Sequence, residues 1–376
     1  MARLLAIILA LSSASPASKA QAVERPAVEW LIPSLPTNRP QTPEEAEEGR
    51  KSGRKLPAPE VLQPTVDPAL PSFVPRKQKL AGTFKGAASD VLAVLVQKWF
   101  EKFRAYHPEV SLSISPPYAG SLGATELVNE HVDFVFVSRE LRPDDIRDFK
   151  AKFGYEPLSV PVCGGSYRHF GALDAVAFFV NKDNPIEKLD FEQIDAIYST
   201  TRHRGAKPLR NWGDLGLGGE WADKPIHAYG IKPWNGFEEF VRQRVLSKEG
   251  KRGEWREDIV FEKVVFPMAK RVAEDRYGIA YSGIAYLDQA VRVLPLVAHP
   301  GDAPQAPTYE NVALATYPLS RLIYFNVNKV PGQALPPALD ELLRFILSRD
   351  GQQVVLDHAR YVPLRARQAQ SSRARF

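Results

Sequence analysis

The chain has 376 residues, 44% of them hydrophobic and 25% charged, an ordinary globular balance with length enough for two domains and a sizeable core. The 49 basic residues against 44 acidic ones leave a net charge of only +5, with no concentrated basic stripe of the kind nucleic acid selects. Its single cysteine, Cys163, excludes an internal disulfide and reads as a small buried apolar side chain.

The N-terminus carries Arg3, an apolar run from Leu4 to Leu11, and the small-x-small sequence Ala20-Gln21-Ala22. This pattern predicts a signal peptide over residues 1–22, cleaved after about Ala22. The apolar run is too short for a permanent span and no later one is long enough, so no membrane insertion is expected after cleavage. A lipoprotein would need a cysteine at its processed start, and Cys163 is far downstream. The expected location is therefore the periplasm of a Gram-negative bacterium, without a lipid anchor. Residues 23–79 hold roughly a third of the 32 prolines, which deny regular hydrogen-bonded structure and predict an extended or disordered arm. Trp30-Leu31-Ile32 and Phe73-Val74 are apolar islands in what reads as a loosely ordered linker.

From Leu80 the elements alternate. A strand is expected over Leu80 to Phe84, then a glycine-containing turn, then a helix from Ser89 to Tyr106 with Val91, Leu92, Leu95, Trp99 and Phe103 at helical spacing. A strand over Val110 to Ile114, a turn over Tyr118 to Gly123, a helix over Ala124 to Glu130 and a strand over Val132 to Val137 follow. Strand, helix, strand, helix, strand at these spacings argues for a parallel, doubly wound sheet. Three loops would leave its carboxyl edge: Gly82 to Ala88, Gly120 to Gly123, and Ser138-Arg139. Unpaired amides at helix starts, hydroxyls and one guanidinium fork together suit a small oxyanion. Ser89 and Ser121 also read as plain helix N-caps.

Downstream, strands are expected over Ala175 to Val180, Ile226 to Tyr229, Ile279 to Tyr281 and Arg321 to Val327. Helices are expected over Phe191 to Ile197, entered from Asp190, over Gly236 to Leu246 and over Ala338 to Leu347, and Trp212 to Gly216 reads as a tight loop. The basic end, with Arg365, Arg367, Arg373 and Arg375, reads as a solvated, frayed tail. Catalysis is not supported. Ser138 lacks His and Asp partners by motif, the seven histidines, His203, His227, His299 and His358 among them, fall in no metal-ligand spacing, and no glycine-rich loop ends in Gly-Lys-Ser/Thr. Neither an enzyme activity nor a cofactor or metal is expected.

Several stretches run in the order of a known family: Ala81-Gly82-Thr83 with the following helix, Gly120 to Ala124, Asp133 to Leu141, Asn184-Pro185 with Leu189, and Trp212 to Gly216. They continue through Tyr277 to Tyr281, Tyr317 to Arg321, Ser348 to Gln353 and Tyr361 to Leu364. Over Leu80 to Leu364 the chain resembles the phosphate-binding proteins of ABC-type phosphate importers, in the type II periplasmic solute-binding superfamily. The resemblance implies an α/β fold of two lobes, with mixed, mostly parallel sheets, helices on both faces and a ligand cleft between the lobes. It places lobe 1 at residues 80–170 and 285–364, lobe 2 at 171–284 and a basic tail at 365–376, with crossings near Val162 to Ala175 and Ser282 to Val297. It implies hinge closure over inorganic phosphate or a similar oxyanion, a membrane permease as partner, and a monomer.

By position the resemblance makes Thr83, Ser121, Ser138 and Arg139 the first-lobe ligands, with an amide donor near Phe84. In the second lobe the family carries an Arg a few positions before a Ser-Gly-Thr turn, where this chain reads Tyr229-Gly230-Ile231-Lys232-Pro233-Trp234-Asn235-Gly236-Phe237. Both hydroxyls are replaced, leaving Asn235 as cap and amide donor, the Gly236 backbone N–H, and the charge of Lys232. Each missing donor to a buried dianion costs about 1–3 kcal/mol. No acidic residue between Phe134 and Ser138 is available to accept a phosphate proton, and Glu140 is expected to point away to the surface. The alternative reading is a binding-protein fold with an altered site, acting as an interaction or sensory module.

Overall fold

The computed structural model describes residues 66–115, 122–167, 172–233, 235–287 and 290–376. Strands β1 (Gly82–Ala88), β2 (Val110–Ile114), β3 (Phe134–Val137) and β4 (Leu158–Gly164) are joined late in the chain by β12 (Leu322–Val327) in one sheet of order β2-β1-β3-β12-β4. The β2-β1-β3 part is parallel, as the alternating sequence predicts. β12 then pairs antiparallel with both β3 and β4, so the sheet is mixed. Helix α1 (Ala93–Arg104) lays Leu95, Val96, Trp99, Phe100 and Phe103 on this sheet as one stripe. The Trp99 ring meets Phe136, and its indole N–H donates to the Gly351 carbonyl at 2.8 Å.

The second sheet has order β10-β5-β9-β7-β8, built from β5 (Val176–Asn181), β7 (His227–Ile231), β8 (Val260–Glu262), β9 (Gly278–Gly283) and β10 (Val291–Val293). Every residue of β5 is buried, because helices cover both faces and leave no side for polar alternation. Short strands β6 (Leu189–Asp190) and β11 (Leu296–Val297) pair beside it. Asp190 caps the next helix (Phe191–Tyr198): its carboxylate accepts from Gln193 N, and the Gln193 side chain accepts from Asp190 N. Two sheets, each with its own core, make two lobes.

The lobes are joined where two chain segments cross. After β4, Gly165 N donates to Arg321 O at 2.7 Å, so the outgoing and returning crossings lie against each other. A Cβ on Gly165 would stand 2.5 Å from the Leu173 carbonyl oxygen, which requires glycine there. The return differs from the expectation of a crossing near residues 282–297. β10 pairs with β5, and Leu294, Leu296, Val312, Tyr317 and Leu319 pack into the second core. The chain therefore re-enters the first sheet only after Leu319.

The basic end and the described part of the arm are docked on the first lobe. The basic end forms a helix (Ala366–Arg373) with Ala369 fully buried, and Ser372 Oγ donates to Pro161 O at 2.7 Å. The part of the arm that is described, from Val66 onward, has no helix or strand, yet Leu70 is fully buried. Phe73 N donates to Asp350 Oδ2 at 2.7 Å, and its ring packs on Tyr106 and Phe345. Arg76 pairs with Asp340 and with the buried Glu341. Asp67 accepts from Ala366 N at 2.9 Å, tying arm to terminal helix. Trp30-Leu31-Ile32 and residues 1–22 lie outside the described residues. No helix among the described residues is long and apolar enough to cross a membrane. Leu70→Ala should lower stability by about 2–5 kcal/mol in urea unfolding, the cost of emptying a filled core position; an unchanged midpoint would show that the arm adds nothing to the fold.

Candidate functional site

The site is built by three strand ends. β1 stops at Ala88, paired with Phe136, and Ser89 N donates to Phe136 O at 3.0 Å. β3 stops at Val137, followed directly by Ser138 and Arg139. β12 runs the opposite way with Tyr324 opposite Val137, so its entry residue Arg321 arrives at the same edge. Arg321 Nη2 donates to Ser138 O at 3.2 Å. All four residues, Ser89, Ser138, Arg139 and Arg321, are buried.

Among these four residues two polar atoms have no hydrogen-bond partner: the Ser89 hydroxyl and Arg321 Nε. Ser89 stands at the N-cap position of the single turn Asp90–Leu92, but its side chain makes no cap hydrogen bond. A buried polar group left unpaired costs about 1–3 kcal/mol, so unpartnered donors beside guanidiniums mark a place prepared for an acceptor. Burial draws the Arg321 pKa down to about 10, with Asp174 opposing and Arg139 adding to the shift. Arg321 thus stays cationic at neutral pH, close enough to Arg139 for the two to repel. An anion between them relieves both the repulsion and the lost hydration.

Arg139 is held from behind. Its Nη1 donates to Asp145 Oδ2 at 3.0 Å and to Glu140 O at 2.7 Å. Asp145 also accepts from Arg142 N and from Arg142 Nη2, both at 2.9 Å. Burial alone would raise the Asp145 pKa, but hydrogen bonds from Arg142 and the charge of Arg139 outweigh it, and the net shift is downward. Burial likewise lowers the Arg139 pKa, against the pull of Asp145.

The remaining expected ligands fall differently. Thr83 and Phe84 lie inside β1, paired with Ser111 and Leu112, and are not brought to the site. At about 3.3 Å per residue, Thr83 is some 16 Å of strand before Ala88. The glycine read as a turn, Gly86, is a strand residue on which a Cβ would come 2.0 Å from the Phe134 ring. Ser121 lies outside the described residues. Asn235 caps the helix Gly236–Val241, its Oδ1 accepting from Phe237 N at 2.9 Å, so only its amide nitrogen can serve an anion. Gly236 is exposed, as is Lys232. Phe237 and Phe240 bring their rings to 5.6 and 4.9 Å from the Arg321 guanidinium carbon, covering it with aromatic faces.

Glu140 does not point away. Its Oε1 accepts from Arg244 Nη1 at 2.9 Å and from the Tyr324 hydroxyl at 3.0 Å. Gln243 Nε2 donates to Leu141 O at 2.8 Å, so residues 243 and 244 of the second lobe grip the segment after Arg139. The lobes are closed on one another here. Arg321 is not among the residues expected from sequence, although Ser320-Arg321 repeats the Ser-Arg pair of Ser138-Arg139. Among the described residues no cluster of His, Cys, Asp and Glu could hold a metal ion.

Comparison with known proteins agrees with this architecture. A family model described as a PBP superfamily domain matches residues 74–350. Phosphate-binding protein PstS of Pseudomonas aeruginosa is 35% identical over 309 residues, 82% of this chain and 90% of that protein. Phosphate-binding protein PstS of Staphylococcus aureus is 26% identical over 280 residues, 73% of this chain and 76% of that one. The solved structure of PstS from Borrelia burgdorferi aligns with TM-score 0.53 at 14% identity, covering 77% of this chain and all of that one (100%). An ABC-type phosphate transport receptor from Vibrio cholerae aligns with TM-score 0.51 at 17% identity, covering 75% of this chain and 100% of the other. At such identities the two structures speak for the fold alone.

Asp145→Asn should remove about 3–5 kcal/mol of stability at neutral pH by leaving Arg139 and Arg142 without their buried partner. Because the folded carboxyl titrates below its ordinary 3.8, its contribution is present above that value and is lost as pH falls through the lower folded one. Denaturant titrations of both proteins should therefore converge in acid; a gap that persists unchanged there would overturn the assignment.

Proposed function

This chain belongs to the PBP (periplasmic binding protein) superfamily, among the phosphate-binding proteins, and on that premise we propose that it captures inorganic phosphate or a closely related oxyanion between its lobes for an ABC importer. Binding needs no bond to break. The observation that carries the reading is the unpartnered Ser89 hydroxyl and Arg321 Nε, buried at the sheet edge that Arg139 also occupies, where two strands end and a third begins. In this reading Arg139 and Arg321 neutralise the anion, and Ser89 and Ser138 donate to its remaining oxygens. Asn235 and Gly236 supply the second lobe's amides in place of the hydroxyls the family carries there. The signal-like residues 1–22 fit export to the periplasm, and a permease would read the closed lobes.

One observation favours a second reading. Phe237 and Phe240 already cover the Arg321 guanidinium, and the 243–244 segment already joins the lobes, so closure has contacts that need no ligand. A protein closed in this way suits an interaction or sensory module.

Isothermal calorimetry of residues 23–376 against phosphate, with sulfate and arsenate as comparators, separates the two. A transport role predicts phosphate binding at about micromolar Kd or tighter, about −8 kcal/mol. Arg139→Ala should abolish that heat while circular dichroism stays native. Absence of heat with every oxyanion would leave the interaction module standing; full binding by the variant would remove Arg139 from the site.

A further inference from the structure

A small, partly open cavity of about 80 Å³ lies between the lobes, bounded by Arg139, Glu140, Phe240, Arg244, Ser320 and Tyr324. Several of its polar groups have partners already. Glu140 Oε1 takes the Arg244 Nη1 and Tyr324 hydroxyl hydrogens, and Arg139 Nη1 is directed to Glu140 O and Asp145. The Tyr317 hydroxyl, also on the wall, donates to Val176 O at 2.8 Å. Two groups remain. The Ser320 hydroxyl and Arg244 Nε are shut off from water and have no partner, and Ser320 as a residue is only 7% exposed.

Both unpartnered groups can donate. The wall carries two guanidiniums against one carboxylate, so it is net cationic, and Phe240 and Leu322 give it an apolar side. At roughly 30 Å³ per water the space holds two or three waters, the room a carboxylate or phosphoryl group needs. Arg139 belongs to this wall and to the strand-end site, so the two are contiguous.

We infer that the cleft is two-headed: one anionic group sits at Ser89, Ser138, Arg139 and Arg321, and a second enters the cavity at Ser320 and Arg244. The ligand class is then a phosphoryl compound carrying a second acidic group on a short link, as in a condensed phosphate or a phosphonocarboxylate. The inference rests on the oxyanion-binding reading above and deepens it. It also gives the missing lobe-2 hydroxyls a counterpart, since coordination lost at Asn235-Gly236-Phe237 is regained at Ser320 and Arg244.

Calorimetry of the full mature chain with orthophosphate, pyrophosphate and phosphonoacetate tests it. A two-headed anion should bind at least about tenfold tighter than orthophosphate, a difference of about 1.4 kcal/mol. Ser320→Ala, which removes the unpartnered hydroxyl without adding bulk, should cancel most of that advantage and leave orthophosphate affinity unchanged. If orthophosphate binds and neither two-headed anion binds tighter, the inference falls and the oxyanion reading stands. Equal weakening of all three ligands by Ser320→Ala also overturns it, because the hydroxyl would then be structural. If none of the three binds, both readings fall together.

Discussion

Two guanidiniums kept side by side out of water are the constraint around which this protein is arranged. Burying one such cation is costly and burying two in mutual repulsion more so, unless each finds compensating charge. Arg139 finds it in Asp145, which is held in turn by Arg142; Arg321 feels Asp174 as its strongest counter-charge and has two aromatic faces above it. The backing is incomplete at Arg321 Nε and at the Ser89 hydroxyl. Binding and folding are thus in tension at one place, and in the proposed function an anion resolves it.

The lobe-to-lobe contacts follow from the same arrangement. The segment after Arg139 must leave the strand end and start the next helix, and its carbonyls at Glu140 and Leu141 are met by Gln243 while its carboxylate is met by Arg244. The residues that grip the first lobe belong to one wide turn, Arg242–Leu246, continuing the helix capped by Asn235. Whatever Asn235 and Gly236 touch is therefore coupled mechanically to whether residues 243 and 244 keep their hold.

The strand end at Ser138-Arg139 was legible because a short, fully buried run needs no long-range information to be recognised as a strand. The other strand ends were not. Gly82 and Gly86 look like a turn, yet β1 runs through both, because the Phe134 ring lies where a side chain at Gly86 would be. That fit moves the useful hydroxyl from Thr83 to Ser89. Ser320-Arg321 precedes its strand, and only antiparallel pairing brings an amino end to the edge where β1 and β3 finish. Proline-rich sequence around Phe73 signals no structure of its own; its order comes from Tyr106, Phe345 and Asp350, far away in the chain.

The return of the chain into the first sheet has a further consequence, for the order of events in folding. β12 lies between β3 and β4, so nothing pairs those strands to each other until residues 322–327 exist. The second sheet, by contrast, is drawn entirely from residues 176–293, a continuous stretch whose strands can meet as soon as they are made. A chain emerging from its N-terminus would thus have every strand of the second sheet in hand while the first, begun earlier, still waits with an open sheet for its own last strand. The half of the molecule that carries Ser138 and Arg139 is the half whose sheet is completed last along the chain.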